Sequence, residues 1–600
     1  GGTASYNVNN PVNLPAGSNF STKKGSTGSI INYTVITALG SAGSTTGTDL
    51  QGMNGTLSGH YALGANVNAS TTASWNSSAG FDPIGDDANK FTGSFDGLGH
   101  EITGLTINRP STSYVGLFST AIKTAQVVIT IRNIGLTGGS ITGYRAVGGL
   151  VGSIENGSGK ASTISNSYVT GAVNGFAFVG GLAGIATNHT TITKSYATGD
   201  VTGDGANTQY IGGLVGVAGT YTTITESYAT GDVVGTNSIG GLVGIATGKT
   251  TITKSYAAGD VVGTNNIGGL AGSITSASST ISNSYATGDM TGAYRVGGLV
   301  GYSKADITKS YATGDVAGTE DSGGLVGASL GAVTDSFWDT ETTGQSSSSG
   351  GGSGLTTSAI KSMSSFNNWD ISARGGESNI WRMYEGVSAP LLRTFMQEVT
   401  VSANGPTRAY DGTNSAALSG ANFSETVTGI NLTSGQFASA NVGTNIGITA
   451  NYSATSSESL RSIFQRYDFV DHNITGTITP KALTAAATAA NKAYDGNTTA
   501  SSTLALSGLI GNETLTTSGV GSTFNDKDVA DATTVTINSS TLVNGTNGGL
   551  ASNYSLATGQ TVSAAITPRA LTVTSDAGLS MTSGSGLPVL TYVITEPGLV

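Results

Sequence analysis

Cysteine is absent from this 600-residue sequence. That excludes disulfides, thiolate metal sites and a cysteine nucleophile from the chain. It also suits a protein that crosses an oxidising compartment unfolded, where a stray disulfide would block passage. Proline is scarce, at 10 residues, and no strict Gly-every-third period runs through the chain, so a collagen-like fibre is excluded. Charge is sparse and skewed, with 25 Lys and Arg against 36 Asp and Glu and a net charge of −11. A nucleic-acid binder needs a basic footprint to neutralise phosphates, and none is present. No run of eighteen apolar residues occurs, so no transmembrane helix is expected. The opening "GGTASYNVNN" has neither a basic n-region nor an apolar h-region, and the sequence stops mid-pattern at "TYVITEPGLV". It reads as an internal segment of a longer protein.

What the chain has is glycine, 91 residues, mixed with Ser, Thr and Asn between short apolar pairs. Gly and β-branched residues disfavour long helices, so many short strands joined by turns are expected. A tetrad of "GGLV" or "GGLA" starts at Gly148, Gly180, Gly212, Gly240, Gly268, Gly297 and Gly323. Between tetrads runs "SYATGDV" or a variant, with its aromatic at Tyr168, Tyr196, Tyr228, Tyr256, Tyr285, Tyr311 and Phe337. A period in this range marks stacked units. Each unit offers three β-like pieces, "TTIT", "SYATGDV" and "IGGLVG", none with a helical stripe. Stacking such units pairs each strand in parallel with its copies above and below. The expected fold is all-β, a right-handed parallel β-helix. Seven coils at about 4.8 Å each give a rod on the order of 35 Å long.

Stacking turns repeat positions into columns. Before "SY" the residues are Asn166, Lys194, Glu226, Lys254, Asn283, Lys309 and Asp335, and no neighbours carry like charge. Lys194–Glu226–Lys254 and Lys309–Asp335 are expected to form attractive ladders. A second column holds Asp200, Asp232, Asp260, Asp289 and Asp315. Carboxylates in file suit calcium, but the plainer expectation is that each Asp caps its own tight turn. The calcium-binding Gly-Gly-x-Gly-x-Asp nonapeptide is missing, and no cofactor is expected.

The tyrosine column is the candidate binding stripe: Tyr168, Tyr196, Tyr228, Tyr256, Tyr285 and Tyr311. If "SYATGDV" is one strand, Ser195, Ala197, Gly199 and Val201 share one face and Tyr196, Thr198 and Asp200 the other. An unpaired Asp cannot face inward, which turns the tyrosines outward. A bulge at "TG" would reverse this and bury Tyr196 beside Ile192. An outward tyrosine file could grip sugars or protein, or serve only as ladder stacking. The Thr-x-Thr pairs such as Thr191/Thr193 invite an ice-binding reading, but Thr is the ordinary outward residue of a strand.

Residues 1–88 read as irregular β-helix coils and 89–340 as the regular array, within which "GLF" at Gly116 is a degenerate tetrad. Residues 341–398 read as a cap and linker, with Thr356 or Thr357 as N-cap of a short helix. Then "RAYDGTN" at Tyr410 recurs as "KAYDGNT" at Tyr494, and "ITPKALT" at Pro480 as "ITPRALT" at Pro568. Residues 399–483 and 484–570 are therefore expected to be tandem small β-sandwiches, with a truncated module at 571–600. "SSESLRSIFQRYDFVDHN", Ser457 to Asn473, breaks the match as a helical insert or a long surface loop.

These residues resemble a known group. "SYATGDV…IGGLVG" resembles the GLUG motif, "AYDGT…ITPKALT" the YDG repeat, and residues 571–600 the start of an MBG-type Ig-like module. With "FTGSFDGLGHEITGLTI" before the array and "DSFWDTETTGQ" after it, the order of parts resembles filamentous-haemagglutinin-like adhesins of two-partner secretion. The resemblance implies an adhesin, extracellular or on the outer surface of a Gram-negative bacterium. It implies glycans or proteins of host-cell or bacterial surfaces as partners, and an outer-membrane secretion partner for the whole protein. The secretion domain of that family, with its Asn-Pro-Asn-Gly motif, is missing from this sequence, and GLUG motifs also occur in surface peptidases. Two other readings compete: a passive stalk, and a β-helix polysaccharide-degrading enzyme. The enzyme needs a coil whose polar residues break the repeat and converge. The units show none, and His60, His100, His189 and His472 are scattered without a His-Glu-x-x-His motif.

Overall fold

The computed structural model describes residues 6, 8, 10–23, 25–123, 128–156, 161–454, 463–578, 580–589 and 591–595. The chain forms two bodies: Gly1–Gln397 with Phe464–Asp468, and Glu398–Ile463 with Phe469–Val600.

The first body is a right-handed parallel β-solenoid. One coil shows its build: Thr190–Thr193, Tyr196–Ala197, Val201–Gly203, Gln209–Gly212 and Val215–Ala218. Each strand pairs in parallel, and in register, with its copy in the next coil: Thr191 with Thr223, Tyr196 with Tyr228, Val201 with Val233, Ile211 with Ile239, Val215 with Val243. The coil thus holds five short strands rather than the three expected. "SYATGDV" bends at Thr198–Asp200, and "IGGLVG" bends at its second Gly and Leu. Two positions that recur from coil to coil take the left-handed conformation and turn the chain between or within strands. One is the residue before "SY", with φ of 49° at Lys194 and Glu226 and 47° at Lys254; the other is Tyr210, Ser238 or Asn266. None of these is Gly, which hid the turns from a reading that looks for Gly at positive φ.

Inside the coil Ile192, Ala197, Val201, Ile211, Leu214 and Val215 are at most 1% exposed. A polar file accompanies them. Ser195 Oγ donates to the Thr193 carbonyl at 2.9 Å and accepts from Ser167 N at 3.3 Å. The pattern repeats at Ser227, Ser255, Ser284 and Ser310, so these buried hydroxyls are all satisfied. The first two glycines of the tetrad are required by space. A Cβ on Gly213 would lie 2.1 Å from the Gly241 carbonyl oxygen and 2.9 Å from Ala229 Cβ. Gly-Gly on one wall and the Ala of "SYA" opposite are what let the coil close so narrowly.

The stack begins well before the first full tetrad. Ile30–Ile36, His60–Leu63, Ser94–Asp96 and Thr130–Arg132 lead in parallel to Ser162–Ser165. "GLF" falls in register with a tetrad, Phe118 opposite Val151. Here aromatic rings fill the interior: Phe118 packs on Phe91 at 4.7 Å and Phe95 at 5.4 Å. "FDGLGH" is structural. Buried Asp96 accepts from Arg132 Nε at 2.6 Å, Asn133 Nδ2 at 2.9 Å and Leu98 N at 3.0 Å. At the other end Val333–Asp339 and Gly351–Leu355 close the column. The expected short helix is a pair of 3-10 turns, Ala359–Lys361 and Met363–Ser365. Thr356 Oγ1 accepts from Ala359 N at 3.2 Å, while Thr357 Oγ1 is held by the Asp339 carboxylate.

The second body repeats one plan twice. Gln397–Asn404 lies between Ser419–Phe423 and Tyr467–Asp471, as Lys481–Ala489 lies between Ser502–Ser507 and Tyr554–Leu556. Each copy adds a second sheet, a mixed five-stranded one around Gly443–Ala454 and an antiparallel four-stranded one that includes Thr534–Asn544. Thr572–Ser575 pairs with Tyr592–Thr595 beyond the second copy. Of the insert at 457–473, residues 457–462 lie outside the described residues. Residues 463–466 form one helical turn and Tyr467–Asp471 a strand.

Gly213→Val places a branched side chain where no Cβ fits, and overpacking of this kind costs about 1–3 kcal/mol or more. The expected result is a clearly lower denaturation midpoint followed by circular dichroism, while exposed Thr230→Ala changes stability by no more than about 0.5 kcal/mol.

Candidate functional site

The tyrosines stand in one file, outside the coil. Ring centroids from Tyr168 to Tyr311 are 4.8, 4.7, 4.8, 4.9 and 5.0 Å apart and nearly parallel, with interplanar angles of 2–7°. These separations are the spacing of neighbouring strands. The rings stack because the backbone ladder sets them one rung apart. The alternation holds across the bend: Ser195, Ala197 and Val201 face in, and Tyr196 and Asp200 face out.

The file has a head, an open stretch and a covered end. At the head, Tyr168 Oη donates to the Glu101 carboxylate. The ring leans over Gly135, where a Cβ would lie 2.4 Å from Tyr168 Cζ. Tyr168, Tyr196 and Tyr228 are half-buried. From Tyr228 onward the segment after the solenoid folds back over the file. Phe395 meets Tyr228 and Tyr256 edge-on at 5.3 and 5.0 Å. Trp381 covers Tyr285 and Tyr311, and Trp369 covers Tyr311 and Phe337. Tyr285 is 5% exposed and Tyr311 1%. The last two residues of the expected stripe are therefore internal core, because the chain supplies its own aromatic cover there. Polar groups fix that cover. Tyr311 Oη donates to the Pro390 carbonyl at 2.7 Å, Trp381 Nε1 to Asn283 Oδ1 at 3.2 Å, and Trp369 Nε1 to the Asp335 carbonyl at 2.9 Å. Arg382 and Arg393 are anchored on Asp468, the Arg382 pair at 3.0 Å and deeply buried.

Burial also acts on the hydroxyls. Desolvation raises the pKa of Tyr168, Tyr196, Tyr228, Tyr256, Tyr285 and Tyr311 above the ordinary phenol value, with the adjacent Glu101 adding to the effect at Tyr168.

The aspartate column differs from expectation. Four of the five carboxylates cap the next coil rather than their own turn: Asp200 Oδ1 accepts from Asp232 N at 3.1 Å, Asp232 from Asp260 N at 2.9 Å, Asp260 from Asp289 N at 2.8 Å and Asp289 from Asp315 N at 2.8 Å. All five side chains are exposed, so water screens their mutual repulsion. Among the described residues no group of three or more His, Asp or Glu is placed to hold a metal. In the charge column Lys194 pairs with Glu226 at 3.9 Å. Among the described residues Glu226–Lys254 and Lys309–Asp335 do not reach ion-pair distance; the Asp335 carboxylate accepts from Asn368 Nδ2 at 2.9 Å instead. His100 is structural, bonded to Asn66 Oδ1 and the Val12 carbonyl, both at 3.0 Å.

A second aromatic cluster was missed from sequence. Tyr144 stacks on Phe176 at 5.3 Å, Phe178 on Tyr210 at 5.5 Å, and Arg145 lies 4.8 Å over Phe178. Its signal is a column that reads Ala146, Phe178, Tyr210, Ser238, Asn266, Arg295 and Asp321, aromatic in only two coils.

In the second body the repeated Tyr-Asp-Gly is a turn with a joint beside it. Asp411 Oδ1 accepts from Thr413 N at 2.8 Å and pairs with Arg408; Asp495 does the same for Asn497 N and Lys492. Gly412 and Gly496 supply φ of 79° and 83°. Tyr410 of the first copy and Tyr554 of the second both donate to Glu513, at 2.7 and 2.6 Å. Desolvation and that carboxylate push Tyr554 up to about 12.

Comparison with known proteins agrees with this geometry. The GLUG motif matches residues 143–174, 179–202, 207–234, 235–262 and 292–317, and the YDG domain matches 396–459 and 479–562. The chain is a GLUG-motif β-solenoid followed by tandem YDG domains. It is similar to halomucin of Haloquadratum walsbyi, at 38% identity over 123 residues, 16% of this chain and 1% of halomucin. It is also similar to a provisionally named Gly-rich membrane protein of Evansella cellulosilytica, at 46% identity over 63 residues, 10% of this chain and 7% of that protein. The chain thus spans a small part of either relative. A provisionally assigned immunoglobulin A1 protease of Bacteroides ovatus aligns over 60% of this chain and 93% of its own, with 17% identity and a TM-score of 0.32. Likeness of that degree fixes neither fold nor activity.

A spectrophotometric alkaline titration tests the placement of the tyrosines. Exposed phenols ionise near pH 10, whereas Tyr285 and Tyr311 are expected to stay protonated until the solenoid opens. A raised folded-state value favours the protonated form, so the contribution to stability is complete below pH 10 and declines above it. For the joint at Tyr554 the loss falls between pH 10 and about 12. Ionisation of all 22 tyrosines in one step near 10 would contradict the burial described.

Proposed function

We propose that this chain is the binding segment of an exported bacterial surface protein, an adhesin whose solenoid presents its repetitive outer face to glycans or proteins of host-cell or bacterial surfaces. The observation that carries this reading is the open stretch of the tyrosine file. Tyr168 and Tyr196, stacked at 4.8 Å and half-buried, form an amphipathic stripe that the returning segment leaves uncovered. The order of GLUG array and YDG domains supports export through an outer-membrane secretion partner of a Gram-negative cell. No helix among the described residues is long and apolar enough to cross a membrane. Tyr256, Tyr285 and Tyr311 act in this reading as the anchor of the cap rather than as contact residues.

The reading treats the chain as a binder and not an enzyme. The coils repeat the same outward residues, and catalysis needs converging groups that differ from their neighbours. Incubating the full chain with a panel of polysaccharides is expected to release no reducing ends; sustained turnover would replace the adhesin with a β-helix enzyme.

Beads coated with the full chain are expected to attach to epithelial monolayers, glycan arrays or matrix proteins above the level of blank beads. Tyr168→Ser combined with Tyr196→Ser is expected to reduce that attachment several-fold with the fold retained. Attachment indistinguishable from blank beads on every surface would leave only a spacer role.

A further inference from the structure

The covered end of the tyrosine file shows what the file can hold. Four aromatic side chains of one returning segment, Phe366, Trp369, Trp381 and Phe395, lie against five consecutive rungs, Tyr228, Tyr256, Tyr285, Tyr311 and Phe337. Contact follows three rules. Rings approach the tyrosine stack edge-on or tilted, as Phe395 does at 5.0 Å from Tyr256. Indole N–H groups donate to the column before "SY", to Asn283 Oδ1 and to the Asp335 carbonyl. A tyrosine hydroxyl donates to a backbone carbonyl of the segment, Tyr311 Oη to Pro390 O.

The solenoid is translationally repetitive, so the same chemistry continues onto rungs the segment does not reach. Tyr168 stacks on Tyr196 and Tyr196 on Tyr228 with the geometry of the covered rings. The column before "SY" reads Asn166, Lys194 and Glu226 on these rungs, where Lys194 pairs with Glu226 at 3.9 Å and Asn166 keeps an amide oxygen comparable to that of Asn283. The hydroxyls of Tyr196 and Tyr228 have no hydrogen-bond partner among the described residues. Tyr168 is already committed to Glu101, which sets the end of the usable stretch. The open rungs are thus a continuation of an interface already filled a few rungs away.

We infer that the open stretch, Tyr168 and Tyr196 with the residues beside them, binds a peptide segment carrying Trp or Phe from a partner protein, its aromatic ring meeting the stack as this chain's own Phe395 meets Tyr228 and Tyr256. The inference rests on the adhesin reading and narrows its partner to protein rather than glycan. Edge-on rings and donated backbone hydrogen bonds suit a peptide. Sugars stack on open ring faces, and here each ring from Tyr196 onward has its faces occupied by its neighbours.

The probe is a labelled synthetic peptide with the sequence of Asn379–Met396, titrated into the full chain by fluorescence anisotropy. Saturable binding is expected, weakened at least about tenfold by Tyr196→Ala, as for a central aromatic hot spot. Tyr196→Phe keeps the ring and loses only the hydroxyl, and is expected to weaken binding about two- to fivefold. Exposed Asp260→Asn, on a different column, is expected to leave binding unchanged. Unchanged far-ultraviolet circular dichroism separates a lost contact from a lost fold. No binding to the wild-type chain, or equal binding by wild type and Tyr196→Ala, overturns the inference. So does displacement of the peptide by oligosaccharides that bind the same rungs, which would make the occupant a glycan. Bead attachment that persists under saturating peptide but is lost in Tyr168→Ser with Tyr196→Ser would sink the peptide site while leaving the adhesin reading intact. Peptide binding without bead attachment would do the reverse.

Discussion

Parallel, in-register pairing of near-identical segments is the constraint on which everything else in the first body depends. A strand of two residues such as Tyr196–Ala197 has no stability of its own. It persists because the same two residues recur above and below, so that every backbone group finds its counterpart on the next rung. Register then decides chemistry. Once Ser195 sits over Ser227, their hydroxyls and amides satisfy one another in the interior. Once Asp200 sits over Asp232, a carboxylate that would repel its neighbour accepts that neighbour's backbone N–H instead. Glycine is spent where two walls meet, at Gly213 against Ala229, and not mainly at turns.

The same constraint makes a stripe out of one tyrosine per coil. No single coil contains a site, since one half-buried phenol on a strand is unremarkable. Stacked at the rung spacing, the rings become a continuous apolar surface with a polar edge of hydroxyls. The chain uses part of that surface itself. The segment at 356–396 anchors its aromatic residues on Tyr256, Tyr285 and Tyr311, and its own basic residues Arg382 and Arg393 on Asp468. One structural idea serves both to finish the solenoid and to leave Tyr168 and Tyr196 uncovered.

Much of this was legible in the sequence because repetition is a direct readout of stacking. The order Tyr168, Tyr196, Tyr228 could be written as a column before any coordinate existed, and the inward phase of Ala197 and Val201 followed from simple alternation. What stayed hidden has physical causes. The coil divides into five strands because non-Gly residues such as Lys194 and Tyr210 adopt positive φ, a conformation the ladder imposes and no local propensity announces. The hydrogen bond from Asp232 N to Asp200 joins residues 32 positions apart. A reading that looks for caps within one turn finds the Asp and misses its partner. The cover over Tyr285 and Tyr311 comes from aromatics in a non-repetitive stretch, for which no column exists to predict contacts. Phe178 and Tyr210 escaped notice because they depart from the consensus, although departure is itself the signal of a site.

The complete lack of cysteine makes the central claim directly measurable. Thr193, Thr225 and Thr253 face outward in register on three successive coils. Adjacent rungs place Cα atoms about 4.8 Å apart, within disulfide range, and skipped rungs about 9.6 Å apart, beyond it. In the double variant Thr193→Cys with Thr225→Cys, mild oxidation is predicted to give a near-quantitative intramolecular disulfide with the fold unchanged. Thr193→Cys with Thr253→Cys is predicted to keep both thiols free under the same conditions. A neighbouring pair that refuses to close, or a skipped pair that closes as readily, would contradict a solenoid in which each coil lies directly on the next.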